Sequence, residues 1–189
     1  MPRWGPDADN RLYLAAMELI FERGYDAVTV AEIAEHAGLK KRSFFRHFAD
    51  KREVMFAGAA DLENTIVEAV RAAPATARPV DVVMTALSDG GAGLARWGEP
   101  VRRRQRVVES STELRERELI KLESLASAIA EALERREVDA FTAILVAKAG
   151  VAAFAAAFRQ WVEAGEPADF PEIMADAHRR LRKALCEGG

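Results

Sequence analysis

From about Asp9 to the last residues, apolar side chains recur at three- and four-residue spacing, and no stretch alternates into an Asn-Gly or Asp-Gly hairpin turn. A chain with this period buries its apolar side chains by packing helix on helix, so the expected fold class is all-α. Half of the 189 residues are apolar and 30% are charged, which excludes the composition of a disordered chain. The most membrane-like stretch, Val138 to Trp161, carries Asp139, Thr142, Lys148 and Arg159 among its alanines, so it reads as a buried or interfacial helix and no membrane partner is expected. Trp4, Gly5, Pro6, Asp7 and Asp9 leave no apolar core for a signal peptide, and a lone Cys186 excludes an internal disulfide and a cysteine zinc site. The expected compartment is the cytoplasm.

The N-terminal third carries the sharpest local signals. A first helix from about Asp9 to Arg23 presents Leu12, Tyr13, Ala16, Met17, Ile20 and Phe21 as one stripe and stops at Gly24. Thr29 followed by Glu32 forms a capping box, with Val28 and Ile33 as its hydrophobic staple, and starts a second helix that ends near Ala37-Gly38. Gly38 permits a tight turn, Leu39 tucks inward, and a third short helix spans about Lys41 to His47. Two short helices joined by a glycine-containing turn make the helix-turn-helix pattern.

Asp50 with Glu53 forms a second box and is expected to start one long helix reaching Ala72. A proline-containing loop over residues 73–79 follows. Val80 to Ser88 reads as helix, and the run Ser88-Asp89-Gly90-Gly91-Ala92-Gly93 as a flexible joint rather than a phosphate loop, since no Lys-Ser or Lys-Thr follows it. Further helices are expected from Pro100 to Ser110, Thr112 to Arg135 and Asp139 to Trp161, and a last one opening on Asp169, Pro171 and Glu172 and turning Ile173, Met174, Ala177, Leu181 and Leu185 inward. The expected domains are residues 1–52, a three-helix domain carrying the helix-turn-helix, and residues 53–189, a larger helical domain.

Charge is concentrated at the same place. Lys40, Lys41, Arg42, Arg46, Lys51 and Arg52 stand against Asp50 alone, a net +5 within thirteen residues of a chain whose total is −3. A basic block inside an acidic chain focuses positive potential. Catalytic patterns are missing: there is no Gly-x-Ser-x-Gly, His-Glu-x-x-His or Walker sequence, and His36, His47 and His178 have no second metal ligand at suitable spacing. No enzymatic activity, cofactor or metal is expected.

The run Thr29-Val30-Ala31-Glu32-Ile33-Ala34-Glu35-His36-Ala37-Gly38-Leu39, then Ser43-Phe44-Phe45-Arg46-His47-Phe48 and Lys51, resembles the tetracycline-repressor (TetR) family of bacterial transcriptional regulators. The resemblance covers roughly Leu12 to Phe56. It implies a homodimeric repressor that binds double-stranded DNA at a palindromic operator and is released by a small-molecule effector. Carried over by position, it places Lys40, Lys41, Arg42, Ser43, Phe45, Arg46 and His47 toward the major groove and its phosphates, Lys51 at a phosphate, and Thr29 at the backbone. Arg42 and Arg46 lie four apart on one face, and Arg42 is the choice for bidentate pairing with guanine. Two departures from the family stand out. Phe45 often corresponds to tyrosine, so a phosphate hydrogen bond is lost and the ring is expected against sugar. Lys40 often corresponds to serine or threonine, so the third helix lacks its side-chain cap.

In the larger domain, an apolar effector is favoured, lined by Met84, Leu87, Leu94, Trp97, Val108, Leu122, Phe141 and Leu145. Lys148 is read either as an ion-pair partner or as the contact for an anionic group. Arg102, Arg103, Arg104 and Arg106 are read either as an anion site or as a solvated face. Ala147, Gly150, Val151, Phe154, Phe158 and Trp161, with Ile173, Ala177 and Leu181 of the last helix, are the expected dimer interface, the alternative being ordinary intrachain core.

Overall fold

The computed structural model describes residues 8–165 and 167–186; the side chains of Leu185 and Cys186 lie outside the described residues. Its elements, in chain order, are α1 (Ala8–Arg23), α2 (Val30–His36), α3 (Lys41–His47), α4 (Lys51–Met55), α5 (Ala59–Ala72), α6 (Pro79–Ala95), α7 (Glu99–Ser110), α8 (Thr112–Glu134), α9 (Ala140–Ala164) and α10 (Phe170–Cys186). No strand occurs among the described residues.

The chain parts into two compact units. One comprises Met1–Asp61 with Arg103–Leu119, the other Leu62–Arg102 with Ile120–Gly189. This differs from the single cut after residue 52 expected from sequence. The turn between α7 and α8 belongs with the N-terminal helices because Val108 and Leu114, both fully buried, complete a core built from Leu12, Ile20, Ile33, Phe44, Val54 and Met55.

Two helix boundaries also depart from expectation. The helix expected over residues 51–72 is interrupted between α4 and α5, where Gly58 takes a φ of 83° that other residues rarely adopt. Conversely, α6 runs straight through Gly90, Gly91 and Gly93. Gly90 and Gly91 are sites of close approach rather than a joint. A Cβ at Gly91 would stand 2.1 Å from the Phe170 ring, and one at Gly90 2.8 Å from Ile66. Tight contact with α10 and α5 offsets the low helix propensity of glycine.

In the second unit α6, α9 and α10 pack on one another. Gly150 admits Val83, and Phe154, Phe158 and Phe170 form a mutual ring cluster with centroids about 6 Å apart. α9 is long and apolar enough to cross a membrane by length and composition. Its apolar content is accounted for in part by the buried Ala143, Ala147, Val151, Phe154, Phe158 and Trp161.

Candidate nucleic-acid interface

The helix-turn-helix is assembled by caps. At α2 the Thr29 hydroxyl accepts from the Glu32 N–H, while the Glu32 carboxylate accepts from the Thr29 N–H at 2.8 Å, so the expected capping box is complete. The hydroxyl of Thr29 also donates to that carboxylate at 2.7 Å, and Arg23 reaches it at 2.8 Å. These donors, the Thr29 hydroxyl foremost, hold the Glu32 carboxyl down to about 2. At the other end of α2, Gly38 at φ 66° donates to the Glu35 carbonyl and Leu39 to that of Ala34, the two bonds of a Schellman turn. Arg11, from α1, donates to the Ala37 carbonyl and seals the turn. Nothing in the sequence pattern singled out Arg11, because it sits on the polar face of α1 among ordinary charged residues.

α3 then leaves the turn with no side-chain cap at Lys40. Phe44 is fully buried and anchors the helix against Phe48, with centroids 5.5 Å apart. The opposite face is exposed: Lys40, Lys41, Arg42, Phe45 and Arg46 all lie in solvent, with Ser43 half-buried at the margin. Lys40, Lys41, Arg42 and Arg46 have no hydrogen bond or ion pair from their side chains among the described residues. Four free cations on and before one short helix make a surface ready for phosphates and base edges.

Three of the residues expected at DNA are already engaged. Lys51 donates to the Tyr25 and Val28 carbonyls at 2.9 and 3.0 Å and lies 4.0 Å over the Tyr25 ring, so it ties the α1–α2 loop to α4. Its remaining N–H is the part available to a phosphate. His47 is paired with Asp9, and Thr29 with Glu32. Asp50 caps α4 by accepting from the Arg52 and Glu53 N–H groups, and the Arg52 guanidinium holds its carboxyl below the ordinary value. Burial pushes the Tyr25 hydroxyl well above the tyrosine range.

Three arginines of α7 are engaged in the fold. Arg102, only 2% exposed, stacks 3.9 Å over the Trp161 ring and donates to the Gly165 carbonyl, closing the C-terminus of α9. Arg103 stacks over Phe21 and donates to its carbonyl; Arg104 lies over Phe56 and donates to Met55 at the end of α4. Each of these three guanidinium groups meets an aromatic face and an orphan carbonyl of a helix terminus, so they form no anion site, while Arg103 and Arg106 keep an exposed side as a solvated face would.

The remaining expected residues fall as follows. Met84 and Leu87 are buried in the core of the second unit, with Leu94 and Leu122 partly buried against it. Val108 is instead fully buried in the core of the first unit, because α7 passes from one unit into the other. Trp97, Phe141 and Leu145 are 60%, 71% and 53% exposed, so they line no sheltered space. Lys148 pairs with Glu123 at 2.6 Å on the surface. An open cavity of about 420 Å³, bounded by Ala92, Arg96, Arg102, Trp161 and Phe170, is lined by none of the expected pocket residues. Ala147, Gly150, Val151, Phe154, Phe158 and Trp161 are buried in the chain's own core, which removes them from any surface, while Ile173, Ala177 and Leu181 are half-buried at its edge. One line that α9 leaves exposed is Phe141, Leu145, Ala149, Ala152 and Ala156, a second helical stripe legible at the same spacing but without the aromatic density of the first.

A helix-turn-helix with an exposed cationic second helix, followed by an all-helical unit, defines a class of DNA-binding regulators. The family described as bacterial regulatory proteins, tetR family, matches residues 12–57, and the family described as MftR C-terminal domain matches residues 77–186, more than half of the chain. The chain belongs to the TetR family. It is similar to the HTH-type transcriptional regulator TcmR of Streptomyces glaucescens, 34% identical over 74 residues that cover 39% of this chain and 33% of TcmR. The fold is similar to that of the TetR-family repressor FadR of Thermus thermophilus in complex with lauroyl-CoA, with a TM-score of 0.60, 24% identity and 94% of each chain covered. It is also similar to SmeT in its triclosan complex, with a TM-score of 0.67, 17% identity, and 94% of this chain and 90% of SmeT covered.

Proposed function

We propose that the protein is a homodimeric transcriptional repressor that binds a palindromic operator through α3 and is released from it by an apolar small molecule. The observation that carries this reading is the set of unengaged cations Lys40, Lys41, Arg42 and Arg46 on a helix presented by a fully capped turn. Arg42 reads a guanine, Lys40, Lys41 and Arg46 meet phosphates, and Ser43, His47, Thr29 and the free N–H of Lys51 lie along the backbone. Palindromic recognition requires two copies of α3 about one helical turn of DNA apart, hence a dimer.

The face offered to the second copy is Phe141, Leu145, Ala149, Ala152 and Ala156 of α9, together with the half-buried Ile173, Ala177 and Leu181 of α10. A stripe of apolar and small residues left in solvent on a long helix is the kind of surface that a symmetric partner covers. The effector would have to part Met84, Leu87 and Leu122, which are packed in this structure. Binding would then favour a conformation of lower DNA affinity, a shift that only differential affinity of the ligand for the two states can drive. Triclosan, bound by SmeT, is largely apolar, and lauroyl-CoA, bound by FadR, joins an apolar acyl chain to a polyanionic coenzyme A, which supports an effector with at least an apolar part.

The test is selection of bound sequences from a random DNA pool by the purified chain, followed by titration of the winner at two salt concentrations. The proposal predicts an enriched inverted repeat with steep salt dependence. A pool with no enriched sequence would contradict it.

A further inference from the structure

The exposed face of α3 is not uniformly cationic. Phe45 is 51% exposed, held edge-on against the buried Phe44 ring with centroids 5.6 Å apart, and is the only large apolar side chain on that face among the described residues. At 100° per residue, Lys41, Phe45, Arg42 and Arg46 follow one another round the helix at about 0°, 40°, 100° and 140°. Phe45 and Arg42 are therefore the two inner positions, and Lys41 and Arg46 the two outer ones.

A helix lying in the major groove turns its inner positions to the base edges and its outer positions to the phosphate walls. Only one apolar group is presented by the base edges there, the C5-methyl of thymine. We infer that Phe45 reads a thymine methyl beside the base read by Arg42, in place of the sugar contact expected from sequence. The inference rests on the DNA-binding reading above and names what that site recognises. A second copy of the chain is a poor occupant for this face, because Lys41, Arg42 and Arg46 ring the phenyl with unpaired positive charge. A polyanion that also carries methyl groups fits both features.

The experiment uses the full chain and the operator recovered from the random pool. Each thymine of a half-site is replaced, symmetrically, by deoxyuridine, which removes the methyl and keeps every hydrogen-bonding group. One position is expected at which wild-type affinity falls about fourfold per half-site, the worth of one buried methyl. The variant Phe45→Ala is expected to bind parent and substituted operators equally at that position while still discriminating the base read by Arg42. If every deoxyuridine operator binds wild-type protein as tightly as its parent, the inference is overturned even though the regulator reading stands; a loss of affinity in Phe45→Ala would then place the ring on sugar. If Phe45→Ala keeps the wild-type discrimination against deoxyuridine, another residue reads the methyl and the inference fails. The deoxyuridine series needs only wild-type protein, so a folding defect in the variant does not mask the result. Failure to enrich any operator would instead overturn the parent reading and the inference with it.

Discussion

Lys40–Arg46 and Arg102–Arg104 are both dense in cations, yet the structure uses them in opposite ways. On α3 the guanidinium and ammonium groups reach solvent with no partner, while on α7 Arg102, Arg103 and Arg104 each lie over an aromatic ring and donate to a helix-terminal carbonyl. The difference lies in what faces each helix. Trp161, Phe21 and Phe56, with the ends of α9, α1 and α4, stand opposite α7. Only Phe44 and its neighbours hold α3, and they lie on its far side. Cation density marks a surface as available only where no helix end is waiting for it.

That contrast can be broken by exchanging readouts. The largest effect is expected from Arg102→Ala, which uncovers the Trp161 ring and leaves the α9 terminus without its donor; a loss of about 3 kcal/mol in urea unfolding follows from the charge-assisted hydrogen bond and the desolvated stack together. Arg42→Ala is expected to leave the unfolding curve unchanged and to weaken operator binding by about 1–3 kcal/mol per half-site, relaxing selectivity at one base pair. Loss of stability in Arg42→Ala, or selective loss of DNA binding without loss of stability in Arg102→Ala, would reverse the assignment.

The cap of α2 gives a pH-dependent version of the same test. Glu32 titrates near 2 in the folded chain against an ordinary value of 4.5. Its stabilisation is therefore complete above about 4.5 and is lost as pH falls through about 2. Thermal unfolding of wild type and Glu32→Gln should differ by a constant amount near neutrality and converge across that window. A gap that widened on acidification would mean that Glu32 is not the acceptor the geometry shows. The smallest effect belongs to Lys148→Ala, where an exposed pair with Glu123 is worth about 0.3 kcal/mol and no change in effector response is expected.

The local grammar of the DNA-binding unit was legible in the sequence because caps and turns are short-range devices. Thr29 with Glu32, Gly38 after α2 and the missing cap at Lys40 all stand as their residue types require. Burial partners were not legible. Periodicity marks Phe154, Phe158 and Trp161 as one apolar stripe, but nothing in it distinguishes a neighbour in the same chain from one in a second copy. The same blindness placed Val108 with the effector pocket, because α7 reads as one continuous helix while its residues divide between two cores. Gly90 and Gly91 read as a joint because only the three-dimensional approach of Ile66 and Phe170 explains why no side chain fits there.

The central claim is that the cations of α3 are held for DNA and those of α7 for the fold. The slope of log affinity against log salt, measured on one operator for wild type, Arg46→Ala and Arg103→Ala, tests it most directly. Loss of a phosphate contact should flatten the slope by about 0.9 per protomer in Arg46→Ala, and Arg103→Ala should keep the wild-type slope. Equal slopes in wild type and Arg46→Ala, or a flattened slope in Arg103→Ala, would contradict the account.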